Sequence, residues 1–149
     1  MNKTKGIVGL LAGGIFAALV PSAVIADGAA LFEDYCSACH NVSGTGNPGL
    51  APPLNLAEFW QGLGPRASEY LVGVMIGGMT GRLSAGGVEY IGLAMPAQDY
   101  LSDDEAAEIA SWILAELGKM EAAVTPADIA ATRRSPPAHA HLRKIRKGE

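Results

Sequence analysis

The run Cys36-Ser37-Ala38-Cys39-His40 constrains this chain more than any other segment. Two thiols three positions apart lie within one helical turn, and the next residue is an imidazole. This is the attachment pattern of a c-type haem. In it, both cysteines bond to the vinyl groups along one edge of a porphyrin and the histidine ligates the iron. Other uses of a Cys-x-x-Cys pair fit less well. The chain has 2 cysteines, too few for a four-thiolate zinc or iron–sulfur site in one subunit, and a thioredoxin-type pair needs a βαβ context that is absent here. A plain disulfide leaves His40 and the glycine-rich stretch after it unexplained.

The compartment agrees with that chemistry. Residues 1–26 carry Lys3 and Lys5, then an apolar run from Ile7 to Val20, then Val24-Ile25-Ala26, which predicts a signal peptide cleaved after Ala26. The apolar run is 14 residues long, short of the roughly 20 that span a bilayer. Export places the protein in a periplasm or an equivalent space, where haem is attached outside the membrane and nucleic acid is not a plausible partner. The rest divides by charge. Residues 27–118 hold 12 Asp and Glu against Arg66 and Arg82, whereas residues 119–149 hold 7 Lys and Arg against 3 acids. We read residues 27–118 as the haem domain and residues 119–149 as a C-terminal extension.

A first helix is expected from the Asp27 N-cap toward His40, with Gly28, Phe32 and Cys36 on one face at steps of four. The partner for that face is a helix opened by the Ser102-x-x-Glu105 capping box and ended at Gly118, with Ala106, Ile109, Ala110, Ile113 and Leu117 along its apolar stripe. The two should cross. Between them, Asn41 to Pro53 reads as an irregular loop, Ala67 to Ile76 as a third helix, and Arg82 to Tyr90 as a short hairpin around Ala85-Gly86-Gly87.

These residues in this order, Gly28, Phe32, Cys36-x-x-Cys39-His40, Pro52-x-Leu54, Met95-Pro96 and the capped final helix, resemble a class I monohaem cytochrome c over about Asp27 to Gly118. The stretch through Tyr90 and Gly92 to Met95 is similar to that of bacterial cytochromes that serve as subunits or appended domains of periplasmic dehydrogenases and terminal oxidases. The resemblance implies an all-α cytochrome c fold with crossing N- and C-terminal helices, long loops around one haem and a small β-hairpin before the methionine ligand. It also implies that the Pro52 carbonyl accepts the second ring N–H of His40 and that Leu54 walls the proximal side.

The sixth iron ligand follows in part by elimination. The other histidines, His139 and His141, lie in the basic tail, and residues 27–118 contain no lysine, so a methionine is the natural candidate. Met95 stands in a loop pinned by Pro96, and the resemblance puts the ligand there; Met79 is the reserve, and Met75 reads as core filler on a helix. Left unligated, Met95 would be an apolar plug over an open position. Propionate donors are sought among Arg66, Arg82, Trp60 and Tyr70, on scarcity alone.

With both axial positions filled, the expected function is one-electron transfer without catalysis. The chain would be the haem subunit or direct acceptor of a periplasmic dehydrogenase, passing electrons to a downstream cytochrome or oxidase. A haem enzyme or a gas or redox sensor with an open or displaceable distal site is the alternative. A core without lysines cannot present the basic ring by which many soluble cytochromes dock, which favours a dedicated protein partner. In the extension, Thr125-Pro126-Ala127-Asp128 predicts a short helix to about Arg134, and His141 to Lys147 reads as a loose basic terminus. That terminus is open to four readings: a solvated end, or docking to an acidic enzyme, to the acidic core of another copy, or to anionic lipid.

Overall fold

In a computed structural model, which describes residues 27–92 and 94–149, the chain forms seven α-helices and four short strands among the described residues. The expected signal peptide, residues 1–26, lies outside them. Helix α1, Gly28–Tyr35, starts where Asp27 accepts a hydrogen bond from the Ala29 amide at 2.9 Å. It stops at Cys36, and α2, Ser37–His40, follows at once, so the expected single helix is two pieces hinged at the first cysteine.

Helix α5, Asp103–Trp112, carries the expected reciprocal cap: Ser102 Oγ accepts from the Glu105 amide at 3.2 Å, and Glu105 Oε2 accepts from the Ser102 amide at 2.8 Å. Hydrogen bonds from the Ser102 side chain and then its backbone hold the Glu105 carboxyl below its ordinary pKa. A π-helical turn, Ile113–Leu117, extends α5 to Gly118. Helices α1 and α5 pack together as their patterns require. A Cβ at Gly28 would stand 2.6 Å from the Glu108 carbonyl oxygen and 2.7 Å from the Trp112 Cβ, so only glycine permits this approach. Phe32, fully buried, meets Trp112 with ring centroids 4.8 Å apart.

Helix α3, Ala57–Leu63, was not anticipated: its N-cap is Leu56, with no polar side chain to mark the start. A 3-10 turn, Gly64–Arg66, leads into α4, Ala67–Gly77, one residue longer than expected. The expected hairpin is present as β2, Leu83–Ala85, paired antiparallel with β3, Val88–Tyr90. A second ladder was missed. Strand β1, Met79–Thr80, pairs with β4, Ala94–Met95, with Met79 opposite Met95. The fold is therefore helical with two minimal ladders and no sheet core among the described residues.

The extension corrects the sequence reading. Helix α6, Pro126–Arg134, forms behind a Thr125–Asp128 capping box and packs on α5 and α4. The stretch from His141, expected to be loose, belongs to α7, His139–Arg146, which packs on α4 and buries Leu142 and Ile145. Its cationic residues are divided from these apolar ones by helical periodicity, so the run is one face of an amphipathic helix and not a solvated terminus. Arg133 secures α6 by pairing with Asp103 at 2.7 Å and donating to the Asp99 and Leu101 carbonyls. No helix among the described residues is long and apolar enough to cross a membrane.

Candidate functional site

The turn at Cys36 sets the geometry of the site. Its carbonyl accepts from the Cys39 amide at 3.2 Å and from the His40 amide at 2.9 Å, which fixes both thiols and the imidazole to one turn. Cys39 is exposed and Cys36 half-buried. Burial, and secondarily the charge of Cys39, push the Cys36 thiol up to about 11, so it stays protonated at neutral pH.

His40 is 7% exposed, and its Nδ1 lies 2.9 Å from the Pro52 carbonyl oxygen. A carbonyl can only accept, so Nδ1 carries the proton and Nε2 the lone pair. Burial lowers the pKa of His40, partly offset by the bond to Pro52, which keeps the imidazole in the neutral form that a metal requires. The loop is folded tightly enough to hold that carbonyl. A Cβ at Gly46, whose φ is +72°, would lie 2.4 Å from the Pro53 nitrogen and 2.6 Å from the Pro52 carbonyl carbon. Glycine is required there both for the left-handed backbone and for the contact. The Gly46 amide also donates to the His40 carbonyl at 2.9 Å, closing the loop on the histidine from both ends.

Cys36, His40, Pro52, Leu54 and Met95 line one cavity, with about 920 Å³ of space free of protein atoms, part of it open to solvent. The structure thus brings five of the six sequence-derived site residues to one cavity wall; Cys39 stands on the same turn as Cys36 but outward. Met79 and Met75 line the cavity as well, so Met75 is more than core filler, and the ladder sets Met79 beside Met95. Of the four propionate candidates, Trp60 and Tyr70 line the cavity. The Trp60 indole N–H is already engaged, donating to the Leu54 carbonyl at 2.6 Å. Arg66 instead donates to the Glu149 carbonyl, and Arg82 lines a neighbouring cleft.

The sequence reading missed Arg146, Phe59 and Tyr90, which also line the cavity. For Arg146 a signal existed: Leu142 and Ile145 are spaced for one helical face, after the breaker Pro136-Pro137. Among the described residues, no cluster of three or more His, Cys, Asp or Glu side chains could hold a metal ion by itself. The donor set is one imidazole and the methionine thioethers of an apolar cavity lining, with Cys36 in the wall and Cys39 on the same turn, and it suits a flat metal-bearing macrocycle.

Fold and cavity together define a helical protein with a covalently attached haem. The chain belongs to the cytochrome c family: the family model, Cytochrome c, matches residues 25–115. Two cytochromes c-552 from Thermus thermophilus are each 36% identical to it over 95 residues. Those alignments cover 62% of this chain, and 70% and 62% of the respective relatives. The protein is accordingly a class I monohaem cytochrome c that carries electrons on a covalent c-type haem.

Proposed function

We propose that this cytochrome works outside the cytoplasm, after cleavage behind Ala26, as the haem subunit or immediate acceptor of a periplasmic dehydrogenase, and that it delivers electrons to a downstream cytochrome or oxidase. The observation that carries the site assignment is the convergence of Cys36, His40, Pro52, Leu54 and Met95 on one cavity, with His40 oriented by the Pro52 carbonyl. In this reading Cys36 and Cys39 would bond the haem covalently, and His40 through Nε2 and Met95 through its sulfur would hold its iron. When bound, the haem supplies a one-electron iron couple.

The chain's own part is to hold position and exclude water. The Pro52 bond orients the imidazole and raises its basicity as a ligand. The β1–β4 ladder fixes the strand that carries Met95, and a thioether ligand raises the reduction potential relative to a second imidazole. Apolar walls from Leu54, Leu71, Val74 and Ile113 disfavour the extra positive charge of the oxidised centre.

Surface composition supports a dedicated partner. Around the attachment turn, Tyr35, Val42, Leu50 and Tyr100 are exposed, and Tyr35 and Tyr100 contact each other with centroids 6.0 Å apart. An apolar contact of this kind beside the attachment turn fits a stable complex better than a shuttle steered by charge. Expression of the full chain in a host that attaches haem, followed by affinity purification with haem staining, tests the reading. A red protein with Asp27 at its N-terminus that co-purifies with a dehydrogenase is expected. A red protein always recovered alone would refute the subunit assignment. The weak long-wavelength Met–iron band should vanish in Met95→Ala; its persistence there and loss in Met79→Ala would move the ligand to Met79.

A further inference from the structure

Among the described residues, Arg146 is the one permanently charged side chain in the lining of the haem cavity. Its guanidinium lies 4.5 Å from the centre of the Phe59 ring, donates through Nη1 to the Tyr70 hydroxyl at 3.0 Å, and donates through Nη2 to the Ser84 carbonyl at 2.7 Å. All three partners are neutral. No carboxylate pairs with Arg146 among the described residues, although residues 27–118 carry 12 acids. A half-buried cation without a counter-charge is costly, and these bonds use two of its five N–H donors.

The surroundings repeat the pattern. Leu83 and Arg146 line both the cavity and an adjoining cleft, whose other residues include Arg82, Arg143 and Lys147 against one acid, Glu89. Three of these four cations come from α7 or its C-cap Lys147. The neighbours of Arg146 are Phe59, Tyr70 and Ser84. Arg146 thus stands in the cavity wall with only neutral partners. In a c-type haem the thioether-forming vinyls and the two propionates occupy opposite halves of the porphyrin.

We propose that Arg146 is the propionate-binding residue of this cytochrome, so that the C-terminal extension completes the haem site. The assignment rests on the haem reading above. An arginine fork suits a carboxylate, and the Tyr70 and Ser84 bonds hold the fork in place before the carboxylate arrives. The groups that bear on its electrostatics are Tyr70 from α4, Ser84 and Glu89 from the hairpin, Arg82 before it, and Arg143 and Lys147 from the extension.

Full-length holoprotein is compared with R146Q and R146K by titrating the reduction potential against pH. The unsubstituted protein should have a nearly flat profile, because the guanidinium keeps the propionates ionised in both redox states. In R146Q the potential should fall at neutral pH, since a cation that opposed the oxidised centre is gone, and it should rise as pH drops, since a propionate now takes up a proton on reduction. R146K should lie between the two, and R134Q, at an exposed position of α6 that lines neither the cavity nor the cleft, should match the unsubstituted protein. If R146Q does not fold, NMR of the unsubstituted holoprotein decides: cross-peaks from the Arg146 side-chain N–H protons to the propionate methylenes are expected. A red R146Q with an unmoved potential and a flat profile, or such cross-peaks going to another residue, overturns the assignment alone. A colourless unsubstituted protein overturns the haem reading and this assignment with it.

Discussion

Truncating Leu142 to alanine measures whether the last helix belongs to the folded domain. Its side chain is fully buried, and its Cδ2 lies 2.7 Å from where a Cβ on Gly73 of α4 would be. Leucine-to-alanine changes in cores cost about 2–5 kcal/mol, the spread being set by how far the surroundings collapse into the space. Collapse is limited here. The facing residue has no side chain to move, and α4 is held between α5, α6 and α7. We therefore expect a loss of about 3–4 kcal/mol. At roughly 4 °C per kcal/mol for a domain of this size, Tm should fall by about 12–16 °C. The assay is thermal and guanidinium unfolding of the holoprotein, followed by helical circular dichroism. His141→Ala is the control on the same helix: its imidazole meets Glu69 at 2.7 Å with both side chains about half exposed, so it should cost less than about 1 kcal/mol. A Leu142→Ala loss below about 0.5 kcal/mol, the range of surface substitutions, would show that α7 does not contribute to the fold.

Gly28→Ala should destabilise by about 1–2 kcal/mol, overpacking against the rigid Glu108 carbonyl outweighing the gain in helix propensity; unfolding midpoints check it, and an unchanged midpoint would contradict the close approach of α1 and α5. Trp60→Phe removes the donor to the Leu54 carbonyl and should cost about 1–3 kcal/mol, with the Leu54 side of the loop exchanging amide protons faster. Glu105 has a folded pKa below its unfolded value, so its contribution is present above the unfolded pKa and is lost as pH falls through the folded one. Glu105→Gln should therefore flatten the acid limb of the stability–pH curve, and an identical acid limb would refute the capping box as its source.

The parts of the molecule that sequence revealed are those whose causes are local. The Cys36-to-His40 run, the Ser102 and Thr125 caps and the Gly28-Phe32 face each announce themselves within five residues, and each stands where expected. What escaped depends on distant partners. The two-residue ladder of Met79–Thr80 with Ala94–Met95 is too short to leave an alternating pattern, and its pairing is decided by how the chain is held between. Helix α3 lacks a polar cap, and α7 hid its two buried aliphatics inside a run of cations, which by composition alone reads as solvent-facing. Arg146 was missed for the same reason. A positive charge is invisible as a cofactor contact until the fold has turned it inward.

The cavity wall begins at residue 36 and ends at residue 146 of a 149-residue polypeptide. A fragment clipped in the Ser135-Pro136-Pro137 connection would keep both cysteines, His40 and Met95 and yet lose Arg146 from the wall. Proteolysis at that joint should thus yield a coloured product with an altered potential, and affinity tags belong elsewhere than at Glu149, whose carbonyl is already tied to Arg66.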